Sequence, residues 1–284
     1  MTNFLKCYQK ERIDLIRPLI PLQTNSLYRK VRELRHSKSL NHLRSRYIQL
    51  IRDHNVPHAE NILKTNDWFN YVYYGCLVRN LVPESSARVI DWGGLYGHVT
   101  MILHGLGFEK VTNYLLHPNV FYPLFQEQFE IPTLWGNDPN RLSLESQSVD
   151  VFISSGVLEH VREDGIGEEE KILAEIYRVL KTGGLFFIWN LPARWGTSEI
   201  LAMVSGNWHH SVRYWKKDII RLLQKANFEI IYVDKHKFLP GALMALLEKK
   251  IDLLRLMAWD HRLSHLFPFS LFARDFGIIA IKRH

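Results

Sequence analysis

Cysteine is almost missing: Cys7 and Cys76 are the only two in 284 residues. Two thiols so far apart give neither a disulfide framework nor a metal-ligand spacing. Long apolar runs are missing too. No stretch approaches the roughly 20 apolar residues that a membrane-spanning helix needs. The opening MTNFLKCYQKERID lacks the apolar centre of a secretory signal. These shortages together point to a reducing, cytoplasmic setting. Proline–glycine tracts, internal repeats and low-complexity segments are absent, which excludes fibrous and linker-like classes. The histidines His36, His42, His54, His58, His261 and His265 follow no recognised metal-binding pattern, so no metal is expected.

What is present is ordinary globular material, 46% hydrophobic and 23% charged. The net charge of +7 is unevenly spread. Residues 28–58 hold eight Lys/Arg (Arg29, Lys30, Arg32, Arg35, Lys38, Arg44, Arg46, Arg52) against Glu33 and Asp53, leaving about +1 for everything else. An anionic partner is one account of such a segment. A solvated helix face is the other, because Leu27, Val31 and Leu34, then Leu40, Leu43 and Tyr47, recur at helical spacing. Few aromatics are interleaved for base stacking. The solvated face is the preferred reading.

Residues 1–82 read as a helical N-terminal extension, with a helix over WFNYVYYGCLVRNL that Asn66 or Asp67 could cap. From 83 onward the texture changes. Short β-type runs at 87–91, 110–116, 132–135, 150–155, 185–191, 228–233 and 276–282 alternate with helical stretches such as 119–129, 168–181 and 216–226. The runs are continuously apolar, as in strands covered on both faces. Alternation of this kind implies βαβ units and an α/β, doubly wound parallel sheet. Segments 192–215 and 238–275 interrupt it and read as insertions over one end of the sheet. Within the second, GALMALLEKKIDLLRLMAW (241–259) reads as one apolar helix. It could pack on the sheet, or lie on a membrane and admit a lipid-like acceptor. Packing is preferred.

In a parallel sheet the ligand sits at the carboxyl ends of the strands. The first such exit is Asp91-Trp92-Gly93-Gly94-Leu95-Tyr96-Gly97. It is not a dinucleotide fingerprint, since Leu95 and His98 stand where that pattern needs glycine. A G-K-[ST] phosphate loop is absent as well. Two later segments decide the matter: LSLESQSVDVFISSGVLEHV (142–161) and EIYRVLKTGGLFFIW (175–189). With the loop before them, they resemble the class I S-adenosylmethionine-dependent methyltransferases, nearest the small-molecule type of quinone biosynthesis. The resemblance covers about 87–235.

It implies a Rossmann-like, seven-stranded sheet whose last strand is antiparallel, and S-adenosylmethionine as cofactor. It also implies that 83–284 form the methyltransferase-like unit, with the insertions over the substrate site. By position, Asp91, Gly93, Gly94, Leu95 and Gly97 correspond to the cofactor loop, the acid helping to hold the cofactor's ammonium. Asp138 corresponds to the acid at the adenine amino group, Leu142 to the adjoining loop, and Ser155 and Gly156 to the strand end beneath the sulfonium. Two positions depart from the pattern. Leu95 replaces the middle glycine, and Leu115 stands where an acid usually accepts from both ribose hydroxyls. Asn113, His117 or Asn119 could take over the role of that acid.

Methyl transfer to a hydroxyl is helped by a base, and the candidates are His160, His209 and His210. Each has a structural alternative as a packing or capping residue. Trp68, Tyr73 and Tyr74 could close the pocket, or simply fill the core. The expected partner is a small-molecule acceptor. A nucleic-acid methyltransferase is disfavoured, because SSGVLEHV stands where an N-P-P-Y-type motif would read a base. The departures at Leu95 and Leu115 leave a degenerate, non-catalytic binding module as the alternative.

Overall fold

The structure is a computed structural model. It describes residues 20–57, 59, 65–117, 120–163, 165, 167–207 and 210–283. His209 and Asn119 lie outside the described residues. Three helices come first: α1 (Ile20–Arg35), α2 (Lys38–Asp53) and α3 (Thr65–Leu81). Then follow β1 (Arg88–Trp92), α4 (His98–Gly105), β2 (Lys110–Leu115), α5 (Tyr122–Phe129), β3 (Thr133–Trp135) and β4 (Val149–Ser155). After these come α6 (Leu158–Glu163), α7 (Glu169–Val179), β5 (Leu180–Pro192), α8 (Thr197–Val204) and α9 (Lys216–Lys225). The chain closes with β6 (Glu229–His236), α10 (Gly241–Leu247), α11 (Leu253–Leu263) and β7 (Asp275–Ile281).

The seven strands form one sheet in the order β3-β2-β1-β4-β5-β7-β6. β7 runs antiparallel to both β5 and β6, and the other pairings are parallel. The Rossmann-like sheet expected from the sequence is therefore present. Strand order reverses between β1 and β4, which opens a crevice at their carboxyl ends.

Continuous apolar strands bury both faces. Val89, Val151 and Phe187 share one core with Leu27 and Val31 of α1 and Val72 of α3. Ile90, Phe152 and Phe186 share the opposite core with Ile172 of α7 and Leu223 of α9. Trp68, Tyr73 and Tyr74 are buried in the first core rather than closing a pocket. The basic segment follows the solvated-face reading: Leu40, Tyr47 and Ile51 of α2 are buried while most of its charged side chains are exposed.

The expected single helix over 241–259 is two. It breaks after Leu247 and restarts where Asp252 accepts a hydrogen bond from the Arg255 N–H, an N-cap in the middle of the apolar run. Among the described residues no helix is long and apolar enough to cross a membrane.

Candidate active site

The chain leaves β1 at Trp92 and turns through three left-handed residues, Gly93 (φ 67°), Leu95 (φ 43°) and Gly97 (φ 75°). Gly93 N–H donates to the Tyr114 carbonyl of β2 (2.8 Å), tying the turn to the neighbouring strand. Space in the turn calls for glycine. A Cβ on Gly93 would lie 2.6 Å from Val157 Cγ1, and one on Gly94 would lie 2.4 Å from Asp91 Oδ2 and 2.5 Å from Asn113 Oδ1. The bulky Tyr96 is an anchor. Its ring stacks on Phe125 (4.7 Å between centroids) and its carbonyl accepts from Tyr47 OH (3.3 Å).

Asp91 works beneath this turn. It is fully buried, and its Oδ2 accepts from both the N–H (3.0 Å) and the hydroxyl (2.8 Å) of Thr100 in α4. Burial pushes its carboxyl up to about 6, with the Thr100 hydrogen bonds pulling the other way. It lies against the turn's underside and is not part of the cavity wall, so a direct hold on a ligand ammonium is not its position here.

Above the turn lies a cavity of about 460 Å³, within the range of small-ligand sites. Gly93, Gly94 and Leu95 form one side, and Ser155 and Gly156 at the end of β4 form another. His98 and Tyr71 also line it, packed edge to face with ring centroids 4.5 Å apart. Burial pushes the His98 imidazole down to about 4, so the ring is neutral, and neither nitrogen has a hydrogen-bond partner.

The most unusual group of the lining stands beside Gly156. Glu159, at the start of α6, is 1% exposed. Neither of its carboxylate oxygens has a hydrogen-bond partner in another residue, and burial pushes its carboxyl up to about 8. Its Oε1 lies 3.8 Å from His210 Nε2. His210 is itself held by Glu199 of α8, which accepts from the His210 backbone N–H (2.9 Å) and lies 3.2 Å from Nδ1. Burial opposes charge on His210, but Glu199, Glu159 and Glu163 outweigh it and raise the imidazole above its ordinary value. His160 Nδ1 lies 3.0 Å from Glu163 Oε2. Ligand-type atoms of Glu159, His160 and His210 lie within 4.8 Å of one another, so the trio could share a proton or a cation.

The floor is tied together by Asn190, which donates to Ser155 Oγ (3.2 Å) and accepts from Lys237 Nζ (3.0 Å) and Asn70 Nδ2 (3.2 Å). A second cavity of about 360 Å³ adjoins, sharing Asp67, Ser198, Lys237 and Arg274 with the first.

The structure thus brings Gly93, Gly94, Leu95, Ser155, Gly156, His160 and His210 to one cavity. Gly97 lies just behind, as the N-cap of α4. The residues expected on the adenosine side do not line it. Leu115 is 7% exposed. Its carbonyl accepts from Gly136 N–H (2.8 Å). Leu142 is packed in the core, and Asp138 is exposed, its Oδ1 capping the Asn140 N–H. Asn113 is fully buried and donates to Tyr122 OH (3.3 Å), so it does not reach the cavity in place of Leu115. Sequence reasoning missed Glu159, Glu199, Tyr71 and His98. Glu159 had a signal, standing beside His160 in LEHV; Glu199 had none, because its role depends on folding 192–215 over the sheet.

Residues 90–188 match a family model described as a methyltransferase domain. The seven-stranded sheet that carries them has the fold of solved S-adenosylmethionine-dependent methyltransferases. Solved structures share the fold at low identity. A SAM-dependent methyltransferase from Thermotoga maritima has 16% identity and a TM-score of 0.54, covering 83% of this chain and 99% of its own. One from Archaeoglobus fulgidus has 15% identity and a TM-score of 0.53, covering 79% and 97%. A phosphoethanolamine N-methyltransferase from Haemonchus contortus, solved with phosphomonomethylethanolamine and S-adenosylhomocysteine, has 17% identity and a TM-score of 0.54, covering 80% and 57%. No curated protein sequence matches.

Proposed function

We propose that the protein transfers a methyl group from S-adenosylmethionine to a hydroxyl or amine of a small molecule, at the cavity between the β1 turn and Glu159. The observation that carries this reading is the buried Glu159 carboxyl, without a hydrogen bond from another residue, lining the same cavity of about 460 Å³ as the glycine turn. A group so placed suits a ligand that brings positive charge or a proton to be removed. The backbone of Gly93–Leu95, Ser155 and Gly156, with the neutral His98 beside them, would hold the cofactor. Bound there, it supplies an electrophilic sulfonium methyl.

The chain's own part is positioning, which can contribute about 7–11 kcal/mol. In its ionised form, which His210 and a cationic ligand favour, Glu159 accepts the proton that the acceptor loses; such a base contributes roughly 10²–10⁴-fold. His210, oriented by Glu199, lies next to Glu159 and stabilises its charged form. The adjoining cavity lined by Tyr28, Met244 and Met257 offers room for the acceptor's body.

Titration calorimetry with S-adenosylmethionine and S-adenosylhomocysteine tests the cofactor half. Binding is expected to weaken on Gly94→Ala, and no heat at millimolar ligand with folded protein overturns the proposal. Methyl transfer to a panel of amines and phenols tests the other half. Binding without turnover on any acceptor would favour a non-catalytic module, the reading suggested by Leu115 standing where an acid is usual.

A further inference from the structure

A second set of ligand-type side chains converges away from the active site. Asp234 lies on β6, His261 lies in the last turn of α11, and His265 lies in the turn just beyond its C-cap, Ser264. His261 Nε2 and His265 Nε2 each approach the same oxygen, Asp234 Oδ1, at 2.7 Å. That oxygen also accepts from Lys235 N–H (2.9 Å) and lies 3.4 Å from Tyr232 OH. Four donors crowd an atom with about two lone-pair sites. Asp234 and His261 are buried, while the His265 side chain is 39% exposed, giving an ion a way in and a water-facing position. Tyr28 OH lies 3.4 Å from His261 Nδ1, a partner on the other ring nitrogen of the kind that orients metal-bound histidines.

We infer that Asp234, His261 and His265 form a binding site for a divalent transition-metal ion, with Zn²⁺ the best match, that fastens α11 to the edge strand β6. Nitrogen and oxygen ligands at about 2.0–2.2 Å in a tetrahedron with a water suit this donor set. Such a tetrahedron needs ligand atoms roughly 3.3 Å apart, so the present spacing has to open only slightly. The ion takes the place of the shared protons. His261 also lines the cavity beside the active site, together with Asp260 and Met257 of the same helix. The ion therefore sets one wall of the space assigned to the acceptor.

The test uses the full chain, stripped with chelator and titrated with Zn²⁺ against a chromophoric competitor, and with Co²⁺ read by its visible absorption. One ion per chain is expected, with a rise in melting temperature. His265→Ala, at a partly exposed position, should weaken binding at least about tenfold and abolish the melting shift. Asp234→Asn should do the same. Glu159→Gln should leave both readouts unchanged, which separates this site from the active-site trio. No binding at millimolar Zn²⁺ by folded protein overturns the proposal. Binding insensitive to His265→Ala overturns it equally. Neither result bears on cofactor binding, which is measured separately.

Discussion

The unpartnered Glu159 makes a prediction about stability that needs no substrate. Its carboxyl stands at about 8 in the folded protein against an ordinary 4.5. The folded chain therefore holds this proton more tightly than the unfolded chain does. Between about pH 4.5 and pH 8 the unfolded state binds fewer protons, so stability falls as pH rises through that window. Below it both states are protonated and the difference vanishes. Above it the full cost of an unpaired buried charge is present. At 1.36 kcal/mol per pH unit, the window amounts to at most about 5 kcal/mol. Glu159→Gln keeps the shape and removes the charge. One extra unpaired amide N–H costs about 1 kcal/mol at every pH. The variant should thus be slightly less stable than the parent near about pH 5 and more stable by roughly 3–4 kcal/mol near about pH 8.5. Urea denaturation of both proteins at the two pH values, without ligand, measures it. His210 titrates in both proteins, and loss of its pairing with Glu159 lowers its imidazole in the variant. Parallel curves would refute the assignment of an uncompensated carboxyl. A variant less stable at alkaline pH would show that Glu159 is already satisfied, by a cation shared with His160 and His210.

Three further perturbations probe the site. Gly94→Ala drives a methyl onto Asp91 Oδ2 at 2.4 Å, and overpacking there should cost about 1–3 kcal/mol in denaturation together with loss of cofactor binding; an unchanged midpoint would mean the turn can lift away. Leu95→Gly removes about 1–2 kcal/mol of left-handed strain and adds about 0.5–1 kcal/mol of backbone entropy, so stability should move by less than about 1 kcal/mol while calorimetry shows tighter cofactor binding; a loss above about 2 kcal/mol would show that the half-exposed side chain packs as a structural element. Glu199→Gln removes the largest influence raising the His210 imidazole, so less positive charge stands beside the Glu159 base, the acidic limb of the rate–pH profile should shift to higher pH and kcat should fall more than KM rises; an unshifted profile would take His210 out of the proton path.

The sheet was legible because its central runs are continuously apolar, as strands covered on both faces must be, while the edge strands β3 and β6 are only partly buried. The recognisable motifs were legible for a reason that has little to do with ligands. In EIYRVLK, Glu175 accepts from the Leu142 N–H, and Arg178 donates to the Leu142 and Leu144 carbonyls, clamping the loop ahead of β4. Lys181 of the same motif donates to Asp150, which also caps the Arg88 N–H at the start of β1. These side chains carry commitments across 30 residues or more, and local propensity does not call for them, so they stand out in the sequence. Glu199 and His210 meet only because 192–215 folds over the cavity, and no periodicity announces that. The same limit hid the break at Asp252, where one capping side chain outweighs an apolar pattern that otherwise runs on.

DWGGLYG shows how the two kinds of information combine. Its residues divide by direction rather than by chemistry. Asp91 points down and is saturated on one oxygen by Thr100, Tyr96 points sideways into Phe125, and Leu95 alone projects toward solvent at 42% exposed. The acid, which looks like a ligand contact, is the turn's foundation: Gly94 rests on it so closely that no side chain fits between them. Ligand recognition is left to backbone N–H groups and to the rest of the cavity lining. If that division is right, Asp91→Asn should keep the Thr100 contacts through its carbonyl oxygen and lower stability only modestly, by about 1 kcal/mol, the difference between charged and neutral hydrogen bonds. Cofactor affinity should then track the stability loss. A collapse of affinity in a well-folded Asp91→Asn protein would mean that the carboxylate reaches the ligand after all, and that the turn opens to let it.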